Sequence, residues 1–418
     1  MPAPESASSE SASLAKVEPP SRFGAFIAPH HDPRLDATLQ IRRDVELIQY
    51  IEELGYDEAW VGEHHSSGHE TIACPEMVLA AVGERTNRIR LGTGVNSMPY
   101  HNPLMLLDRL VLLDHLTRGR AMLGMGPGQL ASDAFMLGID PAQQRDMMIE
   151  AAEVIVELLA GNKVSRTTSW FDLREAHLQL LPHNPAGLEI AVASVVSPTG
   201  AILAGRLGLG MLSLAATDPR GFSALDVNWG HLERAAASAG RTTDRSNWRV
   251  LVAMHLAETR EQARKEAESG ILGSLVGYIE SLTGKPLAYG SDPALAVEQW
   301  STRGFPGFGI ATVGTPDDAI ETISALSERT GGFGTLLLLS HDCASWEAKK
   351  RSFTLFAEEV VPVSRGSSAP RFASKAWTSA NSEVLLGGMS AAITAAVARY
   401  AGDGEGQPSV DAWLPVSE

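Results

Sequence analysis

Eight short apolar runs, each followed by a stretch of helical period, recur between residues 22 and 362 of this 418-residue chain. That alternation constrains the fold more than any other feature. Strands joined through helices pair in parallel, because a parallel crossover needs a connection of a dozen or more residues. The strand candidates are Phe23–Ala28, Glu58–Gly62, Ile89–Val95, Ala121–Gly126, Glu189–Ser194, Gly210–Ala215, Arg249–Ala257 and Gly334–Ser340. Helical period marks Thr38–Leu54, Pro75–Arg85, Leu104–Leu116, Gln143–Leu159, Thr199–Leu207, a helix within Leu225–Ala239, Arg260–Ser269, Pro316–Arg329 and Trp346–Val361. Eight units over this length predict a closed (β/α)8 TIM barrel spanning residues 22–364. An open doubly wound sheet is the alternative the same pattern allows. A barrel carries its chemistry at the C-terminal ends of its strands, so candidate residues are sought there.

Four segments depart from the rhythm. Residues 1–21 are rich in Ser, Ala, Pro and Glu and read as a disordered leader without a signal-peptide core. Trp170–Leu181 reads as a hairpin insertion. Gly270–Thr312 is long and rich in turn residues, and is expected to form a loop that lies as a lid over the barrel mouth. Residues 365–418 form a C-terminal extension with a helix candidate at Ser382–Tyr400, which would serve as an interface arm.

Charge and cysteine usage narrow the partners. Lys and Arg number 34 against 50 Asp and Glu, a net charge of −16. That balance argues against nucleic acid or an anionic membrane as the main partner. No apolar stretch reaches the roughly 18 residues of a membrane span. Two cysteines, Cys74 and Cys343, make neither a disulfide framework nor a zinc site, and point to a reducing cytoplasm.

The strand ends hold the candidate chemistry. The second strand runs into Glu63-His64-His65-Ser66-Ser67-Gly68-His69-Glu70. Adjacent His64 and His65 point opposite ways in an extended chain, which weighs against both binding one metal. The open readings are loop hydrogen bonding by Glu63 or His65, and His64 facing a cavity as acid, base or donor. The third strand, Leu91 to Val95, contains Gly92 and Gly94 and leads to Asn96, Met98, Tyr100 and His101. Glycines there mean either a bulge under a flat ligand or tight barrel packing. The fourth strand ends in Gly124-Met125-Gly126-Pro127-Gly128, a weak phosphate signal. The fifth passes through Ser194 to Ser197 and Pro198, read as the N-cap and first residue of a helix whose free amides suit an anion.

In order and spacing these residues resemble the bacterial luciferase-like flavin monooxygenase family, and within it the limonene 1,2-monooxygenase group. The resemblance rests on Arg22-Phe23-Gly24-Ala25-Phe26, on Gly55–Trp60 running into Glu63-His64-His65, and on Arg90–Gly94. It continues through Pro99-Tyr100-His101-Asn102-Pro103, Leu113–Arg120, Gly332–Leu336 and Ser340-His341-Asp342. It implies a dimeric (β/α)8 barrel that takes reduced FMN, or FAD, from a separate NAD(P)H-dependent flavin reductase. Oxygen adds to the flavin to give a C4a-peroxide, which attacks a small apolar substrate such as a monoterpene. By the same resemblance His64 and His101 are the catalytic candidates. Gly94, Val95, Asn96, Gly126, Gly128, Ser194 and Ser197 are the flavin contacts, with a cis peptide at Gly94–Val95. Phe26, Trp60, Met98, Tyr100 and Met125 are candidates for the substrate wall, though each also suits plain core packing. Pro127 stands where luciferase has a phosphate-binding arginine, leaving Arg118, Arg120, Arg206 or backbone amides to hold that group. A deazaflavin-dependent oxidoreductase on the same barrel is the alternative activity. A non-catalytic flavin-binding subunit is a third reading.

Overall fold

The computed structural model describes residues 19–28, 30–305 and 307–400, so most of the expected leader and the last part of the tail lie outside it. Eight strands follow the expected runs. They are β1 (Arg22–Ile27), β2 (Glu58–Val61), β3 (Arg90–Thr93), β4 (Ala121–Gly126), β5 (Glu189–Ser194), β6 (Gly210–Ser213), β7 (Trp248–Val252) and β8 (Thr335–Ser340). Each pairs in parallel with its neighbour in chain order. β1 pairs with β8, Arg22 beside Thr335 through Ile27 beside Ser340, and β3 pairs with β4 at Leu91 beside Ala121. The sheet therefore closes into a (β/α)8 TIM barrel, and the open sheet is excluded.

Local chemistry starts the surrounding helices. Asp36 accepts from the Leu39 amide, Asn102 from Leu104 and Met105, and Asp218 from Arg220 and Gly221. Pro75, Pro103, Pro219 and Pro316 occupy first-turn positions where no amide hydrogen is needed. The Asp218-Pro219 start explains why the helix expected within Leu225–Ala239 runs from Pro219 to Ser238.

Other segments differ from expectation. The hairpin lies earlier, pairing Val164–Thr167 with Asp172–Ala176 around Trp170 and Phe171. The expected seventh strand is split at Ala253. Its first part is β7, and Met254–Leu256 pairs instead with Thr312–Gly314. The 270–312 insertion is largely helical, with a π-turn at Leu272–Val276 and helices Gly277–Thr283 and Pro293–Thr302. Its turn residues punctuate these short helices: Gly284 caps one in the left-handed conformation at φ 64°. A compact unit ends at Arg365, and residues from Gly366 form a second. The described part of that second unit is helical, with the expected Ser382–Tyr400 preceded by Ala369–Ala380. Among the described residues no helix is long and apolar enough to cross a membrane, and both cysteines are free.

The barrel interior and the shell beneath the helices are two separate apolar clusters. Phe26, Trp60, Met122, Leu212, Leu251 and Leu337 fill the interior, while Ile27, Val61, Leu91, Leu123 and Leu336 face the helices. Gly92 leaves room for the Trp60 indole, whose ring would lie 2.5 Å from an added Cβ. Tight packing is thus the reason for that glycine.

Below the indole sits a charged floor. Arg249 is fully buried and donates to Glu58 Oε2 through Nε and to Oε1 through Nη2, both at 2.9 Å. It also pairs with Glu189, and Trp60 Nε1 donates to Glu58 Oε2 at 2.9 Å. The Arg249 guanidinium lies 5.2 Å from the Trp60 ring centre. Removing one member of a buried ion pair leaves the other uncompensated. Arg249→Met is therefore expected to lower unfolding stability in urea melts by about 3–5 kcal/mol, and adding Glu58→Leu to recover most of that loss.

Candidate active site

A cavity of about 850 Å³ opens at the C-terminal ends of the strands. Of the residues singled out from sequence, Phe26, His64, Gly94, Val95, Gly126, Gly128, Ser194 and Ser197 line it. Its walls are mainly apolar, from Ala28, Leu214, Leu251, Ala253 and Leu339 of the barrel to Ile279, Leu282 and Phe308 of the insertion. The insertion thus forms part of the wall. The Gly94–Val95 peptide is cis, and an added Cβ at Gly94 would meet the Phe26 ring at 2.8 Å.

Six of the sequence candidates are absent from the lining, and each has a structural reason. Trp60 is fully buried over the charged floor. Met98 and Met125 pack in the helix-facing core. His101 Nε2 is engaged by Glu63 Oε1 at 2.8 Å, and Asn96 Nδ2 donates to Glu63 Oε2 at 3.1 Å. The Tyr100 hydroxyl accepts from Gln144 Nε2 at 3.2 Å, beside Gly128.

Glu63 organises the second strand end. It also accepts from the Ser97 amide at 3.0 Å and pairs with His65 Nε2 at 2.9 Å. Burial alone would raise its pKa, but the bonds from His101, His65 and Ser97 outweigh it and bring it down to about 2. With His65 held by Glu63, His64 turns the other way, as alternation requires. Its Nδ1 lies 3.0 Å from Asp133 Oδ2 and its Nε2 3.4 Å from Glu70 Oε2. Burial pulls the His64 pKa down, yet the charges of Glu70 and Asp133 and the Asp133 bond leave it above the ordinary value. Asp133 also accepts from the His65 amide and the Ser66 hydroxyl.

A second histidine pair repeats the arrangement at the end of β1. His31 is buried between Asp342 Oδ2, 2.5 Å from Nδ1, and Asp44 Oδ2, 3.0 Å from Nε2. Despite burial, those two carboxylates raise its pKa to about 9. His30 lines the cavity, where burial and the nearby His64 and His69 push its pKa well below the ordinary value.

The cavity lining also holds groups that suit an anion. Helix Thr199–Leu207 begins there without a side-chain cap, since its cap position is Pro198 rather than Ser197. The helix keeps the expected bounds and only its cap differs, and Ser197 Oγ accepts only weakly from the Thr199 amide, at 3.4 Å. Gly200 packs against the Ala193 carbonyl so closely that a Cβ would not fit. Its first amides have no intrahelical acceptor and carry the positive end of the helix dipole. Arg145 lines the same cavity. The arginines expected for this task are occupied elsewhere: Arg120 donates to the carbonyls of Gly83, Thr86, Ile89 and Thr117, and Arg206 pairs with Glu153. Arg118 sits in a turn at φ 58°. Uncapped amides, a hydroxyl and a guanidinium on the lining of a largely apolar cavity fit a flat ring system carrying a phosphate.

Sequence reasoning singled out neither Asp133, Arg145, His30 nor Tyr278, and gave Glu70 no role of its own. Asp133 and Arg145 come from helices after β4 and carry no local signal.

A parallel eight-stranded barrel with an imidazole held between two carboxylates at its catalytic mouth is the architecture of a barrel enzyme. The family model for luciferase-like monooxygenases matches residues 21–332, and the chain belongs to that family. It is 46% identical over 349 residues to limonene 1,2-monooxygenase of Rhodococcus erythropolis, covering 84% of this chain and 88% of that protein. It is 44% identical over 358 residues to 4-hydroxyprotoasukamycin monooxygenase of Streptomyces nodosus subsp. asukaensis, covering 85% and 95%. Among solved structures it is similar in fold to the oxygenating constituent of 3,6-diketocamphane monooxygenase of Pseudomonas putida, solved with FMN. There the TM-score is 0.65 and identity 24%, covering 82% and 98%.

The Glu63 geometry has a measurable pH signature. Its folded pKa lies near 2 against an ordinary 4.5, so its contribution to stability is present above about 4.5 and lost as pH falls toward 2. In thermal melts Glu63→Gln is expected to be less stable than the native chain at neutral pH. The gap should narrow as pH falls through that window.

Proposed function

We propose that this enzyme is a flavin-dependent monooxygenase that takes reduced FMN from a separate NAD(P)H-dependent reductase and oxygenates a small apolar molecule, a monoterpene-like alkene or similar. The observation that carries this reading is the cavity itself, largely apolar, with an uncapped helix start and Arg145 in its lining and the His64 imidazole held between two carboxylates. Reduced flavin, when bound, supplies the electrons that activate dioxygen, so that one oxygen atom enters the substrate and the other leaves as water.

The chain's own residues divide the remaining work. The amides at the start of helix Thr199–Leu207, the Ser197 hydroxyl and Arg145 would hold the phosphate. The cis Gly94–Val95 segment and Phe26 would form the surface for the ring system. His64 carries a proton at the cavity wall, its Nδ1 fixed by Asp133 and its Nε2 toward Glu70. From Nε2 it donates that proton toward the oxygen being transferred. The insertion residues Ile279, Leu282 and Phe308 exclude water, which would otherwise supply stray protons.

Homodimer formation belongs to the same proposal. Met77, Met105, Leu112 and Leu116 are exposed on the packed helices Pro75–Gly83 and Pro103–Leu116, and the last three share one face. The free thiols suit a reducing cytoplasm.

Purified protein supplied with reductase, NAD(P)H, FMN and oxygen is expected to oxygenate at least one member of a panel of terpenes, ketones and aldehydes. Turnover without oxygen on a reduced deazaflavin would overturn the proposal. His64→Ala should lower the rate of product formation by roughly a hundred- to ten-thousand-fold. Arg145→Ala should weaken FMN binding by about tenfold or more in equilibrium titrations, while leaving binding of riboflavin, which lacks the phosphate, unchanged.

A further inference from the structure

The wall around His64 contains a carboxylate to which the scheme above gives no task beyond its place beside Nε2. Glu70 follows the His64 loop, and its side chain is only 4% exposed. Groups from its own loop and from three other elements face it. His64 Nε2 lies 3.4 Å from Oε2, and His30 Nε2, beyond the end of β1, lies 3.5 Å from Oε1. The Tyr278 hydroxyl, from the insertion helix Gly277–Thr283, faces the carboxyl. Asp133, from the helix after β4, adds a like charge, and Oε2 itself has no hydrogen-bond partner. The insertion is seated on the same spot by aromatic contacts. The His30 ring meets Tyr278 edge-on at 4.8 Å and Phe308 at 4.7 Å, and the His69 ring lies 5.7 Å from Tyr278.

We propose that Glu70 is a positioning residue that couples the seating of the 270–312 insertion to the proton on His64, with the Tyr278 hydroxyl as the link. This rests on reading the cavity as the site of oxygen transfer. A hydrogen bond from Tyr278 favours the ionised form of Glu70, which burial alone disfavours. An ionised Glu70 beside Nε2 favours the protonated imidazole, while Asp133 fixes the ring through Nδ1. When the insertion lifts, Glu70 loses its donor and its hold on the His64 proton weakens. His64 then carries its proton when the cavity is closed to water and releases it more readily when open. The unpartnered Oε2 at 3.4 Å is the contact that shortens when the pair engages.

The test is an NMR titration of histidine-labelled full-length protein without added flavin or substrate, with the His64 resonance assigned from His64→Gln. It needs no turnover, so its failure is distinguishable from failure of the oxygenase reading. Glu70→Gln should lower the His64 titration midpoint by roughly one to three pH units, the usual effect of losing an opposite charge at this range. Tyr278→Phe should lower it in the same direction by less, and should add nothing in the Glu70→Gln background. A midpoint unmoved by Glu70→Gln would overturn the proposal, as would a Tyr278→Phe effect that persists without Glu70. If Glu70→Gln does not fold, Tyr278→Phe alone decides: a lowered midpoint supports the coupling and an unchanged one removes it.

Discussion

Four groups converge on one buried carboxylate, Glu63, at the point where β2 turns into the His64 loop. The rest of the site follows from that convergence. A bond to the Ser97 amide ties the β2 end to the chain after β3, and a bond to His101 ties it to the turn before the next helix. Pinning His65 decides which of two adjacent histidines faces the cavity, because neighbours in an extended chain point apart. His30 and His31 repeat the device on β1, with Asp44 and Asp342 in the role of Glu63. In both pairs the second histidine is consumed by buried carboxylates and the first is delivered to the wall. A fold that must present imidazoles on loops, yet hold them rigidly, gains from such anchoring.

Electrostatics then separates the two delivered rings. His64 lies between Asp133 and Glu70 and favours its protonated form, whereas burial and neighbouring histidines favour a neutral His30. Two imidazoles in one cavity are thereby biased toward different states. The uncapped helix start and Arg145 share a largely apolar lining with these histidines. Such a lining suits both a flat ring with a phosphate and a hydrophobic substrate.

The strands were legible because buried parallel strands are written as short continuous apolar runs, and those runs marked all eight. Ser197 and Pro198 announced a helix start within one residue of its position. Strand-end position also brought His64, Gly94, Val95, Gly126, Gly128, Ser194 and Ser197 to the cavity. It did not do so for His101 and Asn96, whose side chains are claimed by Glu63 from more than thirty residues away. The Arg249–Glu58 pair, separated by 191 residues, and Asp133, 69 residues from His64, were invisible for the same reason. Local period reports which face is apolar, but a polar contact across the barrel is written nowhere in its neighbourhood. The insertion reads as a loop because glycines and prolines suit loops, yet here they end and begin short helices.

The central claim is that this cavity transfers an oxygen atom from dioxygen to an apolar molecule. The most direct measurement supplies photoreduced FMN, with no reductase present, together with heavy-isotope oxygen gas and an apolar alkene or ketone. The product is then weighed by mass spectrometry. One heavy atom per product molecule, dependent on reduced FMN and lost in His64→Ala, is the predicted result. Product that carries only oxygen from water, or that forms equally well without dioxygen, would contradict the account.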